Sequence, residues 1–314
     1  MKLLTNLLCP GSARGALQVI YFHQVLREPD PLRPGDPTAQ TFDELLGMLK
    51  SRFNVIGLAD GLDRMARGTL PPAAVAISFD DGYADNVEVA LPVLRRHGLT
   101  ATFFIATAYL GDGVMFNDIV IEGVRAAEGD SIDLGFLGLG GLPIRTDAER
   151  FQTLQAIIGA LKYLPSEERM QKAERVAELC RLSAPPRLMT DADGVRRLAA
   201  AGMEIGAHTH THPILMRLTP AEAEQDIARG RDELESILGH APQLFAYPNG
   251  RLGKDYSAEH VAIVERLGFD AAFTTNPGVC RKGDQRWELP RFTPWDRTPG
   301  RFALRLLQAR WGLL

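Results

Sequence analysis

The stretch Val75-Ala-Ile-Ser-Phe79, followed at once by Asp80-Asp81-Gly82-Tyr83, decides the reading of this chain. Five uncharged residues run straight into two carboxylates and a glycine. A short apolar run of this kind reads as a strand buried on both faces, as in parallel sheets covered by helices. Neighbouring side chains at a strand end point in opposite directions. Two adjacent carboxylates therefore do different work: one can bind a metal ion while the other holds a water. The plainer alternative is a turn at Asp81-Gly82 with Asp80 capping the next helix.

Working outward, further strands are expected at Leu17–His23, Phe53–Leu58, Ala101–Ala106, Glu204–His208, Leu244–Tyr247, Ala271–Thr274 and Glu288–Phe292, each rich in Val, Ile, Phe or Tyr and bounded by Gly or Pro. Helices announce their ends between them. Thr41 with Glu44 reads as a capping box. Thr219, Pro220 and Glu222 combine cap, first-position proline and capping acid before a stop at Gly239, and Ser257 begins a helix that ends before Gly268. Strand–helix alternation means parallel strands joined by crossovers, in an open sheet or a closed barrel. Seven or eight strands without a glycine-rich dinucleotide turn favour the barrel. Residues 108–190 break the alternation with Gly-rich loops (Gly135, Gly138, Gly140, Gly141) and two helical segments split at Pro165-Ser166. The expected organisation is a barrel over 17–298, interrupted by a helical insertion at 108–190, and a C-terminal amphipathic helix over 299–314. That helix sets Leu306, Leu307, Trp311 and Leu314 against Arg301, Arg305 and Arg310, a pattern that packs on its own barrel more often than on a membrane surface.

Composition narrows the function. The 314 residues are 45% hydrophobic and carry 35 basic against 39 acidic side chains, net −4, with no basic cluster to replace nucleic-acid counterions. Cys9, Cys180 and Cys280 are odd in number and far apart, which argues against a disulfide framework and a thiolate zinc site. Met1–Leu8 is apolar only in pieces, interrupted by Thr5 and Asn6. A secretory signal wants about 7–15 uninterrupted apolar residues, and no run approaches the ~18 of a membrane span. A cytoplasmic chain is expected.

Polar residues gather where apolar runs end: His23 after Val19–Phe22, Asp80-Asp81 after Phe79, His208-Thr-His210-Thr-His212-Pro213 after Ile205, Pro248-Asn249-Gly250 after Tyr247, and Arg291 after Trp287–Pro290. In a βα barrel the carboxyl ends of the strands share one face, where active sites are built. His208 and His212 are four apart, but Pro213 and the Thr/His alternation argue against a zincin helix. Three histidines in five residues still invite a metal, since neutral imidazole suits zinc. Two histidines and a carboxylate leave a position open for water, the arrangement for metal-assisted hydrolysis and also for non-haem iron oxygenases.

Ile77-Ser-Phe-Asp-Asp-Gly-Tyr83, Gly206-Ala-His-Thr-His-Thr-His-Pro213 and Phe245-Ala-Tyr-Pro-Asn-Gly250 resemble, in that order, the first three motifs of the NodB-like polysaccharide deacetylases, carbohydrate esterase family four. Ala90–Ile105, with Thr102-Phe-Phe, is similar too. The resemblance implies a deformed (β/α) barrel and a divalent metal, usually zinc, held by Asp81, His208 and His212. It implies that Asp80 is the general base toward water and that the Asn249 N–H helps hold the oxyanion; His210 would turn away. Three departures stand out: Ala246 occupies the place of the usual third-motif Arg, the Asp-rich fourth motif is not recognisable after Gly268, and the late Leu-x-His is absent, the last histidine being His260 in an expected helix. Ile20-Tyr-Phe-His-Gln-Val25 resembles the Tyr-His-x-Val segment of a circularly permuted branch that includes poly-N-acetylglucosamine deacetylases, which makes His23 the general acid. Arg291 then stands in for the missing Arg and holds Asp80 ionised.

These features point to a metal-dependent hydrolase that removes an acyl group, N-acetyl before formyl or O-acetyl, from a saccharide or a cytoplasmic or lipid-linked precursor. The alternatives are an amidase or deformylase acting on a small nitrogen compound, and a non-catalytic carbohydrate-binding barrel. The retained Asp80 argues against the latter, and the βα alternation argues against an iron oxygenase, whose triad normally sits on an all-β roll.

Overall fold

The computed structural model of the chain describes residues 5–6, 15–185, 187–294, 296 and 298–313. Apart from Thr5 and Asn6, the Met1–Leu8 stretch lies outside them, as do Cys9 and Leu314. In chain order the elements are β1 (Ala16–Phe22), α1 (Ala39–Arg52), β2 (Asn54–Val55), α2 (Leu58–Arg67), β3 (Ala74–Phe79), α3 (Leu91–His97), β4 (Thr102–Ile105), α4 (Phe116–Ala126), β5 (Ser131–Asp133), β6 (Gly141–Pro143), α5 (Asp147–Leu161), α6 (Ser166–Leu179), α7 (Ala192–Ala200), β7 (Glu204–Ala207), α8 (Pro220–Leu238), β8 (Leu244–Ala246), α9 (Ala258–Arg266), β9 (Ala271–Phe273), β10 (Cys280–Arg281) and α10 (Pro299–Arg310). They form two compact units, one of Met1–Glu28, Gly35–Leu110 and Thr190–Leu314, the other of Pro29–Pro34 and Gly111–Met189.

The first unit is a deformed (β/α) barrel. Its sheet runs β10-β1-β3-β4-β7-β8-β9, with β2 also on β3. Every pairing is parallel except β1 with β10. Alternation sorts each strand into two faces. Leu17 and Val19, Ala74 and Ala76, Phe104, Leu244 and Ala246, Ala271 and Phe273 form the interior cluster. Ile20 and Phe22, Val75, Ile77 and Phe79, Phe103 and Ile105, Phe245, and Ala272 pack outward with Phe42, Leu46 and Leu49 of α1 and other helical residues. Ser78 and Asp80 continue the inward parity of Ala74 and Ala76. The parallel register Leu17↔Ala74 to Phe22↔Phe79 then sets His23 level with Asp80.

The expected strand at Glu288–Phe292 is not one, and its failure closes the barrel. The Leu289 N–H bonds Ala272 O of β9 and Leu289 O accepts from the N–H of Thr274 just beyond it, and three residues on the Phe292 N–H bonds Val19 O of β1. A segment that changes partner so quickly cannot build a ladder, and Pro290 in its middle has no N–H to give.

Other boundaries also moved. The helix expected from Thr41 is capped by Thr38, whose hydroxyl accepts from the Thr41 N–H, so α1 starts earlier. The expected Phe53–Leu58 strand shrinks to β2, because α2 begins at Leu58 with its first N–H groups taken by the Glu204 carboxylate. The Thr219–Glu222 capping box and the left-handed Gly239 stop stand as read. α10 buries Phe302, Ala303 and Leu306, while Leu304, Trp311 and Leu313 stay exposed.

The second unit packs α4, α5 and α6 around a core with Val120, Leu154, Ile157, Leu161 and Val176, joined by a β5–β6 hairpin within the stretch read from sequence as loops. Among the described residues, no helix is long and apolar enough to cross a membrane.

Candidate metal centre

β3 delivers Asp80 and Asp81 to the rim, and β7 delivers His208, whose N–H bonds Ile105 O of β4. The backbone then bends hard. Asp81, Thr209, His212 and Asn249 all have positive φ (78°, 67°, 50° and 60°), with Ala73 and Arg181 the other non-glycine cases among the described residues. Left-handed backbone at a non-glycine residue costs of order 1–3 kcal/mol and persists where the surroundings over-determine it. Four such residues at the sequence-predicted motifs mark the strained part of the molecule.

The bends bring Asp81, His208 and His212 together: one ligand atom from each lies within 4.8 Å of the others. Asp81 Oδ1 is 3.5 Å from His208 Nε2 and 3.4 Å from His212 Nε2. His208 Nδ1 is 2.7 Å from the carbonyl oxygen of Ala246. A carbonyl only accepts, so Nδ1 carries a proton, and Nε2 is the nitrogen turned to Asp81, free to serve as a ligand when the ring is neutral. Asp81 Oδ1 itself is buried and receives no hydrogen bond from a described residue. A buried anionic oxygen without a donor is costly, and a divalent cation between it and two imidazole nitrogens would relieve that cost. The donor set therefore fits a divalent ion of zinc type. Burial pushes the Asp81 carboxyl up, but the neighbouring His212 and His208 outweigh it and hold it well below the ordinary range.

Asp80 faces a different partner. Arg291 Nη1 and Nη2 each donate to one of its carboxylate oxygens at 2.7 Å. Both residues are buried, Arg291 completely. Arg291 also donates from Nε to Thr274 O (3.1 Å) and from Nη1 to Ser78 Oγ (3.3 Å), with its guanidinium 4.8 Å from the Tyr21 ring centroid. Burial raises the Asp80 carboxyl, and Arg291 with His208 more than reverses it, leaving Asp80 ionised.

His23 stands at the end of β1, level with Asp80. Its ring is edge-on to Tyr21 at 6.0 Å, and its positive charge, when present, lowers both aspartates. Its carbonyl accepts from Nδ2 of the fully buried Asn86 at 2.9 Å. Asn249 lies just beyond β8, its carbonyl held by the Thr275 hydroxyl. His210 points elsewhere, with Nδ1 2.9 Å from Thr107 Oγ1 and 3.0 Å from Glu233 Oε2.

A family model described as polysaccharide deacetylase matches residues 67–134 and 163–272, more than half of the chain. Among curated proteins, one from Bacillus subtilis (strain 168) named "Putative polysaccharide deacetylase YxkH" is 22% identical over 217 residues, covering 69% of this chain and 50% of that protein. The chain thus spans about half the length of that relative. IcaB from Ammonifex degensii superposes with a TM-score of 0.61 at 20% identity, covering 94% of this chain and 97% of that one. The deacetylase PplD of Streptococcus pyogenes, solved in complex with acetate, gives a TM-score of 0.60 at 17% identity over 94% and 98%. At such identities the solved structures speak for the fold, the NodB-type deformed barrel. The family model speaks for descent, and the chain belongs to the polysaccharide deacetylase family.

Proposed function

We propose that this chain is a divalent-metal-dependent hydrolase that removes an acyl group, N-acetyl first, from a saccharide or a saccharide precursor. The observation that carries the reading is the pairing of adjacent, differently employed carboxylates. Asp81 keeps an orphaned oxygen facing two imidazole nitrogens, while Asp80 is held ionised by a two-pronged arginine. A carbohydrate-binding barrel has no need of the second. The ion, zinc for this donor set, would be held by Asp81, His208 and His212 and supply a Lewis acid that polarises carbonyl and water.

The chain's own groups do the rest. Asp80, anionic and fixed by Arg291, accepts a proton from the attacking water. The Asn249 N–H donates to the carbonyl oxygen as negative charge builds there. His23, level with Asp80 on the neighbouring strand, gives a proton to the leaving nitrogen, so the C–N bond breaks to a neutral amine and the acyl carbon leaves as a carboxylate. Acetate, which the PplD structure holds, is the product such a reaction yields.

The test is acetate and formate release from a panel of N- and O-acylated sugars by zinc-loaded and zinc-stripped protein, with Asp80→Asn alongside. The expected outcome is zinc-dependent release by wild type and a ~10²–10⁴-fold loss in Asp80→Asn, the scale of a lost general base, with zinc still bound stoichiometrically. An active Asp80→Asn would end the mechanism.

A further inference from the structure

The three-histidine loop is gripped from one side by α8, through a feature the sequence reading did not single out. Asp226, Gly230 and Glu233 follow one another at i, i+4 and i+7, which places them on one face of that helix. Asp226 Oδ1 accepts the backbone N–H groups of His210 (2.9 Å) and Thr211 (3.1 Å), and its Oδ2 accepts the Thr211 hydroxyl at 2.6 Å. One turn on, helix backbone meets loop backbone: a Cβ on Gly230 would stand 2.5 Å from the carbonyl carbon and oxygen of Thr209. A further turn on, Glu233 Oε2 lies 3.0 Å from His210 Nδ1. Thr107 Oγ1 lies 2.9 Å from the same nitrogen, and between the hydroxyl and the carboxylate the middle imidazole is held away from its two neighbours.

The segment so gripped carries the two left-handed residues, Thr209 and His212, that reverse the chain between the flanking histidines. The Thr209 hydroxyl accepts the His212 N–H at 3.0 Å, linking the gripped part of the loop to the second imidazole. Successive N–H groups around a left-handed residue form a concave anion site, and here the anion is a side chain of the protein itself. Without it, the Thr211 N–H and hydroxyl lose their acceptor, the His210 N–H keeps only the Asp226 backbone carbonyl at 3.2 Å, and the strained turn has less to hold it.

We infer that Asp226 is the positioning residue of the metal centre: its carboxylate fixes Thr209–Thr211 so that His208 and His212 converge on Asp81, with Gly230 admitting the close approach and Glu233 parking His210. This rests on the proposed reading of the site as a metal centre. It predicts that affinity for the ion depends on a carboxylate that never touches it.

The measurement is the zinc affinity of the full chain by competition with a chromophoric chelator, together with thermal unfolding of the metal-free protein. Four variants are compared: Asp226→Asn, Asp226→Ala, Thr211→Val and Ile227→Ala. Ile227, adjacent in sequence and fully buried in the outer core, reports what loosening the helix alone does. Asp226→Asn is expected to weaken zinc binding about 10–100-fold, the usual effect of losing a group that orients metal ligands, and Asp226→Ala more. Thr211→Val, which deletes one bond and keeps the carboxylate, should sit between wild type and Asp226→Asn and covers the case in which Asp226→Ala does not fold. Ile227→Ala should lower the unfolding temperature with zinc affinity within about twofold of wild type. Wild-type affinity in Asp226→Asn, or an equal loss in Ile227→Ala, overturns the assignment. Failure of the wild-type chain to bind zinc overturns the reading of the centre itself.

Discussion

Each unit of this protein buries an arginine among carboxylates, and the two arrangements differ in kind. In the barrel, Arg291 has one carboxylate, Asp80, bound through both oxygens with both residues out of solvent. In the second unit, Arg33 is shared among Asp30 (3.1 Å), Asp118 (3.2 Å) and Glu122 (2.8 Å), and Arg125 bridges Asp30 and Glu122 again at 2.6 and 2.9 Å. The network ties the short Pro29–Pro34 segment to α4. Among the described residues, no buried oxygen of its carboxylates lacks a hydrogen bond, whereas beside the Asp80–Arg291 pair Asp81 Oδ1 does. A buried ion pair is therefore not in itself the mark of a site. The marks are exclusivity, which fixes one charge in one place, and an adjacent acceptor that the protein leaves unsatisfied.

The contrast is broken most severely at Arg291. Arg291→Met deletes the guanidinium bonded to both oxygens of Asp80 and leaves a buried carboxylate without its ion-pair partner. Loss of about 3–5 kcal/mol is expected, measured by urea unfolding of the metal-free chain and accompanied by loss of deacylation. A stable, active Arg291→Met would show that His208 and His23 suffice to hold Asp80.

Arg33→Met is the matching cut in the second unit. Arg125 still serves Asp30 and Glu122, so the expected cost is smaller, roughly 1–3 kcal/mol. It should be seen as faster proteolytic nicking between residues 111 and 189. Zinc affinity should stay within about twofold, because all three ligands belong to the barrel. A cost equal to that of Arg291→Met would mean that sharing offers no protection.

How far the sequence showed these features follows from the distance over which each is determined. Asp80, Asp81, His208 and His212 announce themselves because each ends an apolar run, and parallel strands bring their ends to one rim whatever the details. Arg291 was visible as a charge after Pro290, but its grip on Asp80 depends on a segment crossing from β9 to β1, a closure no local pattern encodes. The same holds for α2, whose first N–H groups are capped by Glu204 from a distant strand, and for β10, whose two residues are strand only because β1 lies beside them. Asp226 had no signal by itself, being one acid on an acidic helix. Only its spacing to Gly230 and Glu233 distinguishes it, and that spacing acquires meaning once the histidine loop is known to lie against that face.

The smallest effect sharpens the contrast most. Glu122 is joined to Arg33 at 2.8 Å and to Arg125 at 2.9 Å, with its side chain 12% exposed. Glu122→Gln keeps a carbonyl oxygen to accept from one of them and removes one negative charge from a cluster of three carboxylates and two guanidinium groups. Arg33 retains Asp30 and Asp118, and Arg125 retains both oxygens of Asp30 at 3.1 and 2.6 Å. The lost attraction is offset by relief of repulsion between neighbouring carboxylates. The change in stability should therefore fall within about 1 kcal/mol, the range of partly exposed pairs, as read by urea unfolding at low and at ~1 M salt, where screening shrinks it further. A loss approaching that of Arg291→Met would place the charge of the second unit in one dominant pair, as in the barrel. The distinction between a shared network that holds a segment and a private pair that poises a base would then no longer stand.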